Sequence, residues 1–256
     1  LENVFYHSIS EIFKYINNNI FDGNFKNFDL LSLGFWPGGD RDGNPYVTSK
    51  ITLKTAKKLR SDIIKNYYKD IRKLRRKLTF KVIEDIIIDI EKKLYDSIFM
   101  STQKPKISLE ELKSKLSFIN ETLTVSHNSI YSDEVQQIIN KVNIFGYHFA
   151  SLDIRQDSRI HSNIFDSVFS QGYLKSSMKQ RESLLDKVLK NGLTLNNTIK
   201  ILTSTLKSIT AMKSIQSHNG EKGCYRYIIS NTQTSNNILE VLALLKLSGW
   251  KKPSVD

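Results

Sequence analysis

Three short apolar runs in this chain each break into a polar, turn-forming loop that leads into a helical pattern. This recurrence restricts the fold more than any other feature. The first run covers 30–36 and stops at Pro37, Gly38 and Gly39; the second covers 147–155; the third covers 225–230 and enters the loop Asn231, Thr232, Gln233, Thr234. Strand, polar loop and helix in that order are the grammar of a parallel α/β sheet, whose functional groups gather at the carboxyl ends of the strands. Strands are therefore expected near 30–36, 147–155 and 225–230. Some hundred residues of helical pattern separate the first from the second. The expected fold class is α/β, predominantly helical, and forms part of a parallel (β/α) barrel with large helical insertions.

Between the runs, apolar residues step by three and four. Val4, Ile9, Ile12, Phe13, Ile16 and Ile20 predict an amphipathic helix over 4–20. His7 lies within it and reads as a packed or surface residue, because metal sites need clustered partners. Ala56, Leu59, Ile63, Tyr67, Ile71, Leu74 and Leu78 predict a long helix beginning near Thr48 or Thr52. Further helices are expected over 82–99, from a capping box of Ser108 and Glu111 to about 123, and over 134–145 with Asp133 as cap and Gly146 as stop. Others follow from Arg159, over 181–190, over 197–216 and over 235–247.

Charge and cysteine usage narrow the function classes. No apolar run approaches the ~20 residues of a membrane span and no signal segment opens the chain, so a cytoplasmic protein without a membrane partner is expected. The single Cys224 excludes an internal disulfide and a cysteine-rich metal cage, and is expected as a small half-buried residue at a strand start. Of the formal net charge of +12, eleven fall between Lys50 and Lys81, where thirteen Lys or Arg face only Asp62 and Asp70. Most of these cations fall off the apolar stripe, which describes a solvated outer face. A basic helical module for nucleic acid or an acidic partner is the alternative. No recognised DNA-binding spacing supports it, and nucleic acid is not the expected partner.

Two segments carry dense chemistry. In 33–48, LGFWPGGDRDGNPYVT, the glycines, Asn44 and Pro45 suit a tight turn that crowds Asp40, Arg41 and Asp42 together. A hairpin or turn held by Asx bonds would explain it as well as a binding loop would. An EF-hand would not, because Gly43 comes fourth and Ile51 stands where the Glu should be. In 147–157, YHFASLDIRQD, strand alternation sets Tyr147, Phe149, Ser151, Asp153 and Arg155 against an apolar face of Ala150, Leu152 and Ile154. Asp153 and Arg155 are then expected to point together into an enclosed space.

GFWPGGDRDGNPYVT (34–48), LDIRQDSRIH (152–161) and YIISNTQTSNNILEVLALLK (227–246) resemble, in order, three blocks of the phosphoenolpyruvate carboxylase family. The resemblance implies a barrel of parallel strands within many helices, a homotetramer, and magnesium or manganese. It implies carboxylation of phosphoenolpyruvate with bicarbonate to oxaloacetate and phosphate, an anaplerotic supply to the tricarboxylic acid cycle. By resemblance Arg155 holds the substrate phosphate and Trp36 forms an aromatic wall beside the substrate's methylene carbon. Arg41 sits in the matching turn, either on substrate or, as the favoured reading, bracing the loop with Asp40 and Asp42; Asp153 supports the site. The family's catalytic histidine and metal ligands fall in blocks that do not occur in 1–256, and His161 matches a different histidine, read here as a helix-start residue. The resemblance thus implies a central fragment of a longer enzyme, inactive alone, with no catalytic or metal-ligating residue of its own. Pro37 and Asn237 depart from the family's usual residues.

Overall fold

The structure, a computed structural model, describes residues 4–23, 25, 28–42, 44–100, 104–169, 172–192, 200–251 and 255–256. It divides into two compact units. The first takes Leu1–Leu33, Lys57–Ala150 and His218–Gly220, and the second Gly34–Ala56, Ser151–Ser217 and Glu221–Asp256.

The first unit is helical. α1 (Phe5–Ile20), the larger part of α2 (Ser49–Arg75), α3 (Lys81–Phe99), α4 (Leu109–Ser126) and α5 (Ser132–Phe145) follow the predicted periodicities closely. Their stripes are fully buried: Ile63, Tyr67 and Ile71 of α2, Ile83, Ile87, Ile90 and Leu94 of α3, and Leu112, Leu116, Ile119 and Leu123 of α4. Each such side chain contributes about 2–3 kcal/mol relative to an exposed one. Tyr6 stacks on Phe145 with ring centroids 5.5 Å apart, and the buried Tyr67 hydroxyl donates to the Gly146 carbonyl at 2.7 Å. The Ser108 side chain caps α4 by accepting from the Glu111 amide at 3.0 Å, as expected. Asp133 is not the cap of α5. Tyr131, left-handed at φ 59°, takes that position, and the Ser132 hydroxyl donates to Asn120 Oδ1 at 2.7 Å, so Asp133 lies exposed in the first turn, where its charge favours the helix dipole.

The second unit holds the strands. β1 (Gly34–Phe35) pairs in parallel with β2 (Ser151–Leu152), and β3 (Ile154–Asp157) pairs in parallel with β4 (Tyr227–Ser230), in the register Ile154 to Tyr227. The Phe35 carbonyl accepts from Asp153 N at 3.1 Å, and a parallel bridge joins Asp40 to Arg155. Three chain segments therefore run side by side in sequence order, around 34–41, 151–157 and 227–230. Asp256 adds one bridge on the side of β4 away from β3: its amide donates to the Tyr225 carbonyl and its carbonyl accepts from Tyr227 N.

All three strands are shorter than expected. Residues 28–30 form a 3-10 turn. Tyr147 to Phe149 belong to the turn after α5: Gly146 and Phe149 take φ 47° and 65°, and the Tyr147 hydroxyl donates to the Ile107 carbonyl at 2.9 Å. Burying two aromatic rings among helices outweighs extending the ladder there. Cys224 follows a 3-10 turn over Glu221–Gly223 and is fully buried rather than half-buried. Around the strands lie α6 (Ser158–Val168), α7 (Met178–Asn191), α8 (Lys200–Asn219) and α9 (Ser235–Leu247). The start predicted for α8, 197–199, lies outside the described residues. Leu152 and Ile154 pack with Phe165, Leu185, Met212 and Leu244 in one buried cluster that also takes in Trp250.

Candidate anion site at the carboxyl ends of the strands

The loop after β1 is built around its two glycines. Amides of Gly39 and Asp40 both donate to the Trp36 carbonyl, at 2.8 and 3.1 Å, closing a tight turn. Gly38 takes φ 86°, where a side chain would also strike Thr55, and a Cβ on Gly39 would stand 2.0 Å from the Asp153 carbonyl oxygen. This close approach lets the loop rejoin β3: Arg155 N donates to Gly39 O at 3.1 Å and Arg41 N to Arg155 O at 2.9 Å. Thr52 of α2 fastens the turn by donating to the Gly38 carbonyl at 2.7 Å.

The three charges of the loop separate. Asp40 Oδ1 accepts from the Asp42 amide at 3.1 Å, an Asx turn. Asp42 reaches Arg155, with 3.2 Å between Oδ2 and Nη2. Arg41 turns to α8, donating to Ser208 Oγ and, at 2.9 Å, to Ser204 Oγ; burial lowers its pKa. Arg41 thus ties the loop to two serine hydroxyls of α8, whereas the brace expected from the sequence is with Asp40 and Asp42. No sequence signal joined Ser204 and Ser208 to residue 41.

Asp153 and Arg155 leave the same face of the chain yet pair apart. Asp153 accepts from Arg226 Nε at 2.8 Å, and burial raises its pKa against the pull of that guanidinium. Arg155 keeps a side chain 42% exposed and a buried Nε with no partner, so Asp42 uses only part of its fork. Trp36 is 66% exposed. A cavity of about 320 Å³ runs along Trp36, Gly38, Asp40 and Asp42, and a second of about 720 Å³ lies between Asp42, Gln156, Arg159 and Ser204.

Behind the loop, Asp157 caps α6 by accepting from the Arg159 amide at 2.7 Å and from its guanidinium, which holds the Asp157 carboxyl below its ordinary pKa. His161 is completely buried and shares a 2.8 Å hydrogen bond with the Tyr227 hydroxyl. Burial lowers its pKa to about 4, so it is neutral at physiological pH. It lies in the first turn of α6, at the helix start as expected, and its side chain is part of the core there. Glu240, unmarked in the sequence, is fully buried on α9 and accepts from Ser162 at 2.9 Å, Tyr173 at 3.0 Å and Asn237 at 3.4 Å. Among the described residues no three His, Cys, Asp or Glu gather to hold a metal ion. Nor is any described helix long and apolar enough to cross a membrane.

Parallel strands flanked by helices place the second unit in the α/β class, with the partly satisfied Arg155 on β3 as its candidate anion-binding group. The sequence model of phosphoenolpyruvate carboxylase matches this chain over residues 2–106 and 89–256. Curated relatives include the phosphoenolpyruvate carboxylases of Trichormus variabilis (26% identical, covering 89% of this chain and 28% of the relative), Synechococcus sp. (26%, 88% and 27%) and Rhodopseudomonas palustris (25%, 88% and 29%). The chain belongs to the phosphoenolpyruvate carboxylase family, and it spans a little over a quarter of the length of these relatives.

Proposed function

We propose that this chain supplies part of the substrate site of a phosphoenolpyruvate carboxylase, which joins bicarbonate to phosphoenolpyruvate to give oxaloacetate and phosphate. The observation that carries the reading is Arg155: a guanidinium on the second residue of β3, bridged to the loop after β1 and anchored at Nη2 by Asp42, with its Nε unpartnered. Such a fork grips two phosphate oxygens and keeps its charge, stabilising the negative charge that develops as bicarbonate attacks phosphorus. Trp36 walls off the methylene carbon and excludes water from the enolate and carbon dioxide formed next. Asp40 and Arg41 hold the loop, Asp42 aims Arg155, and Asp153 fixes the strand end through Arg226. We take the magnesium or manganese of the reaction to be held by residues of the longer enzyme, because the family's metal ligands fall in blocks that do not occur in 1–256. Closure of the three parallel segments into a barrel, the homotetramer and the cytoplasmic setting belong to the same reading of the longer enzyme. The basic face of α2 finds no specific observation in favour of a nucleic-acid role.

Equilibrium binding tests the reading. Phosphoenolpyruvate is expected to bind the purified chain in the millimolar range and to lose about tenfold or more in Arg155→Gln. Equal binding by the two proteins would overturn the assignment of Arg155. Oxaloacetate formation by the chain alone, with magnesium and bicarbonate present, would overturn its dependence on other segments.

A further inference from the structure

A cleft in the first unit carries charged groups that the strand-end site does not use. Its volume is about 220 Å³, roughly seven waters' worth of space, which admits a small metabolite and not a nucleotide. Asp70, Lys73 and Leu74 enter it from the last turns of α2, with Lys77 just beyond, and Glu134, Ile138 and Lys141 enter from α5 at the spacing of one helical face. The floor is apolar, made by Leu74 and Ile138, both nearly buried.

Both ends of the cleft are locked. Lys141, 8% exposed, pairs with Asp70 Oδ2 at 2.9 Å; the same oxygen accepts from the Tyr6 hydroxyl at 2.8 Å, and the ammonium lies 4.5 Å from the Tyr6 ring centre. At the other end Lys77 pairs with Glu134 at 3.1 Å and lies 5.3 Å from the Tyr131 ring centre. The central cation, Lys73, is exposed and has no acidic partner among the described residues. Two neutralised pairs therefore flank one uncompensated positive charge above an apolar floor.

We propose that this cleft binds a small organic acid, with a carboxylate or phosphate head on Lys73 between the ammonium groups of Lys77 and Lys141 and an apolar body over Leu74 and Ile138. A lysine suits either head, because its ammonium acts as a point charge without geometric preference. The site shares no residue with the strand-end loop, so it stands or falls separately from the carboxylase reading.

The test is an NMR titration of the isotope-labelled full chain, following the Leu74 and Ile138 methyl groups, with butyrate, inorganic phosphate and neutral butyramide as probes. Saturable millimolar shifts with butyrate or phosphate, and none with butyramide, are expected; which anion binds tighter identifies the head group. Lys73→Met and Lys73→Gln should each weaken binding about tenfold, whereas Lys54→Met, on an exposed residue elsewhere, should leave it unchanged. Lys73 is exposed, and both variants are expected to keep the native spectrum. No saturable shift with either anion, equal shifts with butyramide, or unaltered binding in both Lys73 variants would overturn the proposal.

Discussion

Gly39 leaves no space for even one added carbon, since a Cβ there would sit 2.0 Å from a backbone oxygen that cannot swing aside. Gly39→Ala is expected to cost about 2–3 kcal/mol through forced separation of the loop from β3, read as a lower urea midpoint with little change in slope. His161 gives a pH-dependent counterpart. Its pKa falls from 6.5 to about 4 on burial, with Asp157 raising it and Arg41 lowering it as the nearby charges. The unfolded chain then binds the extra proton first, so stability contributed by the neutral ring is complete above pH ~6.5 and is lost as pH falls toward 4, up to about 3 kcal/mol. His161→Asn should flatten that dependence in urea melts at pH 7 and pH 5. The glycine pair was legible in the sequence because turns demand such residues. The partners of Arg41, Asp42 and Asp153 were not, because they lie on segments distant in sequence and spacing carries no record of them.

Whole elements were read more faithfully than single contacts. Helices α3, α4 and α9 begin and end within a few residues of their apolar stripes, because burial along one face both marks the sequence and supplies the stability. Strands fared worse: a run such as YHFAS alternates like a strand, yet its aromatic residues gain more by packing into the helical unit. Two devices can be tested at this scale. Ser108→Ala removes the side-chain acceptor for the Glu111 amide and should cost about 1 kcal/mol in thermal or urea melts. Glu240→Ala leaves the Ser162 and Tyr173 hydroxyls and the Asn237 amide without their shared acceptor between α6 and α9, and should cost about 3 kcal/mol in the same measurements. Glu240→Gln keeps an acceptor oxygen and should cost less.

For the molecule as a whole, the net charge of +12 invites association with any polyanion. Its basic segment nevertheless spends charge on structure: Lys58 pairs with Asp62, Arg75 with Glu91 and Lys77 with Glu134, while Arg60 is buried against Asn219. Duplex DNA is therefore expected to show no saturable binding at ~0.15 M salt, where exposed charges are screened beyond about 8 Å. Submicromolar binding in a filter or anisotropy assay at that ionic strength would contradict this. The chain also contains only two tryptophans, and their surroundings are opposite: Trp36 is 66% exposed in the loop after β1, while Trp250 is 6% exposed within the core of the second unit. A soluble quencher will silence the first indole and spare the second. The fluorescence lost to quencher is thus an unlabelled optical gauge of the loop after β1, and anything that settles beside Trp36 should shield it.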